Sequence, residues 1–124
     1  MNFTTPSFER YMDLSNLELK LTAQNMANVD TPGYRTVGFD FEAEMKRSMA
    51  ELSSQRAPED ADRNSATAGV QVEEADGLLE RPDGNNVSVD REGLKMAEAQ
   101  LRFSVGEKLA KDEFSSILQA IQVK

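Results

Sequence analysis

The side chains that most often do chemistry in proteins are missing or isolated in this sequence. It has no cysteine and no histidine, which removes thiolate nucleophiles, imidazole bases and the usual zinc ligands together. Acids are plentiful but badly placed. The run Glu59-Asp60-Ala61-Asp62 would attract a cation, yet it lacks the glycine and the spacing of a calcium loop and reads as a solvated stretch. Asp83-Gly84-Asn85-Asn86 fails the same test and reads as a turn. Glu73 and Glu74 lie in a segment with nothing apolar to shift a carboxyl toward acid–base work. Asn-x-Ser/Thr triplets end at Thr4 and Ser88, but no secretory signal supports glycosylation. No glycine-rich phosphate loop and no nucleophile elbow occurs. The sequence therefore predicts no enzyme, no catalytic residue, no metal site and no cofactor.

What the chain does build with care is a turn. In Asn25-Met26-Ala27-Asn28-Val29-Asp30-Thr31-Pro32-Gly33-Tyr34-Arg35, the two asparagines suit the end of a helix, where the left-handed conformation is tolerated. Thr31 precedes a proline and is pushed toward extended geometry. Pro32 and Gly33 then supply the fixed φ and the positive φ of a type II turn. A helix is expected to finish near Val29, with the chain redirected over 30–36.

That pattern, Asn25, Asn28, Thr31, Pro32, Gly33 and Tyr34 after an amphipathic N-terminal helix, resembles the signature of the bacterial flagellar rod, hook and filament-junction proteins. A second match, Asp83-Gly84-Asn85-Asn86-Val87-Ser88-Val89-Asp90-Arg91-Glu92, leads into a long C-terminal helical segment. The resemblance covers roughly residues 8–48 and 83–124, and the short length is similar to that of the family's proximal-rod members. A Tyr-Pro-Asn-Val run, which marks a sister rod protein, is absent. The resemblance implies a structural subunit of the axial drive shaft. It also implies localisation in the periplasmic rod and export from the cytoplasm by the flagellar type III apparatus, without a cleaved signal peptide.

The elements around the turn are legible in the spacing. Thr5 and Pro6 suit a helix start. Over 6–29, Leu14, Leu17 and Leu21 form one stripe, and Phe8, Met12, Leu19, Ala23 and Met26 form another. Val37, Phe39 and Phe41 alternate as a short extended stretch, after which Asp40 suits the cap of a helix over 40–53 carrying Met45, Met49 and Leu52. Residues 54–69 hold no large apolar side chain and predict a flexible acidic linker reaching 86, with room for a short strand at Val70/Val72, and Val87/Val89 suit a short strand or a staple before the last helix. The last helix, 90–122 with Asp90 as its cap, carries the stripe Leu94, Ala97, Leu101, Val105 and Leu109. It also carries a second one, Phe103, Ala110, Phe114, Ile117 and Ile121. Gly106 between them is either a tolerated glycine or a place where a neighbouring helix comes close.

The 124 residues make one domain, with 6% aromatic residues, no tryptophan and a net charge of −8. The charge is −2 over 1–48, −6 over 49–86 and zero over 87–124, so the excess sits in the middle. With no basic cluster, binding to nucleic acid is not expected. The first twenty residues carry Glu9, Asp13 and Glu18 and so predict no cleavable secretory segment, and no apolar run approaches a membrane span.

The expected fold is mainly α: long terminal helices paired as a coiled-coil-like hairpin, a short middle helix, and the acidic linker. A single pair would bury one stripe of each helix and leave the others bare, which marks an interaction surface. Leu14, Leu17, Leu21, Leu94, Leu101, Val105, Phe114, Ile117 and Ile121 are the expected assembly residues. Head-to-tail stacking would then build a tube. By resemblance, the neighbours are other axial subunits and the base of the rod near the membrane ring, with the Asn25–Tyr34 turn holding the following segment at a fixed angle against one of them. Two other readings share part of the pattern: a sister rod protein, and a soluble helical adaptor or export chaperone that would stand alone as a folded monomer or dimer.

Overall fold

The computed structural model describes residues 5–54 and 69–122; Thr4 and the acidic run Glu59–Asp62 lie outside the described residues. In chain order the elements are α1 (Thr5–Ala27), β1 (Val37–Gly38), α2 (Phe41–Ser53), β2 (Glu73–Glu74) and α3 (Val89–Gln122). The chain is mainly helical, with two long terminal helices, a short middle one and a minimal antiparallel sheet.

The terminal helices form the hairpin. Their contacts step in opposite directions, from Asn25 against Glu92, through Glu18 against Arg102, to Tyr11 and Met12 against Gly106. The residues buried in this seam are small or polar, Leu14 excepted. On α3 they are Glu92, Ala99 and Gly106, spaced by seven. On α1 they are Ser7, Leu14, Ser15, Glu18, Thr22 and Asn25. The hydroxyls are accommodated by their own helix, Ser15 donating to the Tyr11 carbonyl at 2.8 Å and Thr22 to the Glu18 carbonyl at 2.5 Å. Small side chains let the two backbones approach closely. A Cβ added at Gly106 would stand 2.6 Å from Met12 Sδ and 3.1 Å from the Tyr11 ring. The glycine is therefore a close-approach site.

Helix α2 begins where the sequence asks for it: Asp40 Oδ1 accepts from the Ala43 amide at 3.1 Å, and Glu42 and Glu44 occupy the first turn. It lies on α1, with Phe41 edge-on to Tyr11 (centroids 5.5 Å, 86°) and Arg10 Nε donating to Ser48 Oγ at 2.8 Å. Arg102 reaches across from α3. Its guanidinium sits 4.3 Å over the Phe41 ring and donates to Glu18 Oε2 at 2.6 Å, so one side chain touches all three helices.

Three local expectations are corrected. The cap of α3 is Ser88, whose Oγ accepts from the Arg91 amide at 3.3 Å; Asp90 lies inside the helix as a first-turn acid. The second strand falls at Glu73–Glu74 instead of Val70/Val72. It pairs Val37 with Glu74 and Gly38 with Glu73, and the Ala75 amide donates to the Thr36 carbonyl at 2.8 Å. Both strand residues are exposed, so backbone pairing, not an apolar face, fixes this register. Val87 is buried without being a strand, and Val89 opens α3.

The two helix glycines separate packing from propensity. Nothing lies within 4 Å of a Cβ built at Gly93. Gly93→Ala should raise stability by up to about 1 kcal/mol through helix propensity. Gly106→Val should lower it by about 1–3 kcal/mol through overpacking against Tyr11 and Met12. Urea titration followed by circular dichroism measures both, and equal effects would mean the helices do not meet at Gly106.

Candidate functional site: the polar joint and the open helix face

The turn after α1 and the segment before α3 are one structure. Thr31, Pro32, Gly33 and Tyr34 make the turn, closed by the Tyr34 amide donating to the Thr31 carbonyl at 3.2 Å, with Gly33 at φ +73°. A second turn covers Arg81 to Gly84, with the Gly84 amide donating to the Arg81 carbonyl at 2.9 Å and Gly84 at φ +85°. The two turns lie back to back. The Gly33 amide donates to the Asp83 carbonyl at 2.8 Å, and a Cβ on Gly84 would meet Gly33 Cα at 3.3 Å. Glycine at 84 thus answers both a positive φ and a close neighbour.

Four polar side chains lock the joint. Asn25 is buried and uses its whole amide: Nδ2 donates to the Val37 carbonyl at 2.8 Å and to Glu92 Oε2 at 3.0 Å. Its Oδ1 accepts from Tyr34 Oη at 2.9 Å and the Val37 amide at 3.1 Å. Asn85 Nδ2 donates to the carbonyls of Asn28 and Thr31 at 2.9 and 2.8 Å, tying off the end of α1, and its Oδ1 accepts from the Val87 amide at 2.8 Å. Asn86 Oδ1 accepts from the Thr36 amide at 2.7 Å. Glu92, wholly buried, is completed by Arg91 Nη1 at 2.8 Å. At the rim, Arg81 donates to the Val29 carbonyl, and Arg35 lies 3.3 Å from Glu80 and 3.8 Å from Glu74. Among the described residues no buried side-chain polar atom lacks a partner.

Of the turn residues singled out by sequence, the structure gathers Asn25, Tyr34 and Gly33 into this joint. Asn28 is half-buried, its Nδ2 donating to the Gln24 carbonyl at 2.8 Å and its Oδ1 accepting from Thr31 Oγ1 at 3.0 Å. Thr31 and Pro32 are exposed. Glu92, Asn85, Asn86 and Thr36 were not singled out, since a buried asparagine and a turn asparagine look alike in a sequence. The signal available was that both matching segments are asparagine-rich and lead into or out of a long helix.

The expected assembly residues divide sharply. Leu14 is buried in the seam, and Leu17 and Leu21 are half-buried beside it. On α3 every one of them faces outward: Leu94 is 63% exposed, Leu101 66%, Phe114 69% and Ile121 68%, with Val105 and Ile117 also exposed. Leu109 and Leu118 join them. Because α3 meets α1 through Glu92, Ala99 and Gly106, Leu94, Leu101, Val105 and Leu109 lie on the opposite side of the helix, whereas Phe114, Ile117 and Ile121 follow the seam side in the stretch where α3 runs past the start of α1 at Thr5. The exposed apolar residues thus form two separate stripes on α3.

Titratable groups show little that suggests chemistry. Burial raises the Tyr11 hydroxyl pKa, with Arg102 opposing, and burial raises that of the Asp13 carboxyl, with Arg10 opposing. On the surface, Lys111 hydrogen-bonds Glu107 and lowers its pKa. Among the described residues no group of acids suits a metal ion, and no helix is long and apolar enough to cross a membrane.

No protein-family model matches the chain. Among curated proteins, the chain is similar along most of its length to FlgB, the flagellar basal body rod protein. It is 28% identical to that protein of Borrelia hermsii over 118 residues, 87% of each chain. It is 27% identical to that of Salmonella typhimurium over 112 residues, 83% of this chain and 81% of the relative. To that of Bacillus subtilis it is 21% identical over 115 residues, 92% and 89% of the two chains.

The joint sets an order of severity. Asn25→Ala takes the partner from Glu92 Oε2 and from the Val37 amide and carbonyl and should lower stability by about 2–3 kcal/mol. Asn28→Ala removes two exposed bonds and should cost about 1 kcal/mol or less. Denaturant midpoints of the two variants check this; the reverse order would mean that the joint does not depend on Asn25.

Proposed function

We propose that the chain is a structural subunit of the proximal rod of the bacterial flagellar basal body, assembling with neighbouring axial subunits through its terminal helices. The observation that carries this reading is the similarity to FlgB over more than four-fifths of both chains. The geometry supplies the means of assembly. An α3 whose leucines and isoleucines face outward is costly to leave in water and is satisfied by neighbours packed around it. Such neighbours, related head to tail, generate a helical tube instead of a closed dimer.

In this reading the protein is not an enzyme. Its partners are other flagellar rod proteins, the base of the rod near the membrane ring, and the flagellar type III export apparatus. That apparatus would deliver it to the periplasmic rod without a cleaved signal peptide. The core suits such a route, because only Leu14, Val87 and Ala99 are fully buried apolar residues among those described. A fold this thinly packed is readily opened for passage and completed on assembly. The Asn25–Tyr34 joint holds the segment leaving α1 at a fixed angle to the hairpin, where it meets a neighbour.

Leu94→Ser with Leu101→Ser tests the open face, since both residues are exposed in the isolated chain. Helix content should stay unchanged, while swimming in soft agar is lost in a flagellated strain carrying only this variant. Normal swimming would rule the face out as an assembly surface, and a concentration-independent native monomer or closed dimer would favour a soluble adaptor. Gly33→Val tests the joint. A β-branched residue at φ +73° is strained although nothing lies within 4 Å of its Cβ, so rod assembly should fall sharply. Assembly at the native level would remove the turn's positioning role.

A further inference from the structure

We infer that the polar joint is required, beyond the helix–helix seam, to hold α1 and α3 in a single register. The seam alone is ambiguous. Its buried α3 residues, Glu92, Ala99 and Gly106, recur every seven residues, and so do Tyr11, Glu18 and Asn25 and the set Ser7, Leu14 and Leu21 on α1. A slide of one helix past the other by seven residues, about 10 Å at 1.5 Å per residue, returns similar faces to each other. Few of these side chains are large enough for knobs and holes to reject the slipped pairing. The connection offers no help either. It runs from residue 28 to residue 88, unlike the short loop that fixes a tight hairpin.

Two seam contacts also belong to the observed register, Arg102 with Glu18 and Phe41 and the fit of Tyr11 and Met12 on Gly106, and the joint adds the buried polar pairs. In the observed pairing Asn25 completes Glu92, Asn85 ties the last carbonyls of α1, and Gly84 rests on Gly33. After a seven-residue slide, Asn25 would face a position like Ala99, which has no polar group, and Glu92 would be left with Arg91 alone. A buried polar pair that specifies register at the expense of stability is a known use of such groups in coiled coils. Asn25, Asn85 and Glu92 are thus positioning residues. They decide which residues of the α3 face stand at which height along the hairpin, whatever later packs on that face.

Distances between spin labels test this on the full chain, which has no cysteine of its own. Glu9→Cys and Glu98→Cys, both exposed, place one label on each helix. The chain with its joint intact should give a single distance. Asn25→Val, Glu92→Leu and Asn85→Ala together replace the polar pair by apolar groups of similar size and free the end of α1. This variant should keep its helix content yet show a second distance shifted by up to about 10 Å. Leu14→Ala weakens the seam but leaves the joint untouched, so it should melt earlier while keeping the single native distance. A single distance in the joint variant overturns the inference, as does a second distance in Leu14→Ala. Should the joint variant lose its helices, the Leu14→Ala distances decide alone: native supports the inference and slipped refutes it.

Discussion

A buried side-chain amide has four hydrogen-bonding positions, and leaving one empty away from water costs about 1–3 kcal/mol. Asn25 has all four filled, by Val37 on both its backbone groups, by Tyr34 and by Glu92. Those partners belong to the start of β1, the turn and the first turn of α3, so satisfying one amide fixes three parts of the chain at once. The network leaves no member half-paired, the condition under which buried polar groups rigidify a fold instead of weakening it. The short sheet follows from it. Val37 is held on one side by Asn25, while the neighbouring Thr36 carbonyl accepts from Ala75 on the other.

The same constraint explains where the apolar residues went. A joint that brings the end of α1 onto the start of α3 forces the two helices together along whichever faces point inward there. On α3 that face is the Glu92, Ala99 and Gly106 line, whose small side chains permit close approach. Leu94, Leu101, Val105 and Leu109 are consequently turned outward, while Phe114, Ile117 and Ile121 stay bare because α3 extends past the start of α1. The hairpin is held by polar bonds at one end and by the Arg102, Glu18 and Phe41 cluster in the middle, and its largest apolar surface remains available. Stability and interaction are assigned to different faces of one helix. For a rod subunit this division lets a thin monomer gain most of its burial only when neighbours arrive.

The sequence made the architecture readable because its signals are local. Two apolar stripes gave the long helices, Asp40 marked the start of α2, and Thr31-Pro32-Gly33-Tyr34 specified a turn with positive φ at Gly33. The long-range part was not readable. Nothing local says that Asn25 and Asn85 are buried while Asn28 is only half covered, or that Glu92 is a core residue. The orientation of α3 was hidden for a related reason. Apolar periodicity points to the stripe that wants burial, but in this fold the stripe Leu94, Leu101, Val105 and Leu109 stays exposed, and the intramolecular seam is made from the small and polar residues between. β2 escaped for a third reason: Glu73 and Glu74 pair through their backbones, which leave no trace in side-chain pattern.

The most direct test of this division is thiol labelling of single cysteines, one chain at a time, at positions 101, 105 and 109 on the outer face of α3. Each variant is compared as isolated protein and within purified basal bodies. Because the chain has no native cysteine, every reaction reports one site. Rapid modification of the isolated chain and near-complete protection in the assembled rod is the predicted result. Equal reactivity in both states would contradict it, because the face that the fold leaves open would then not be the one its neighbours cover.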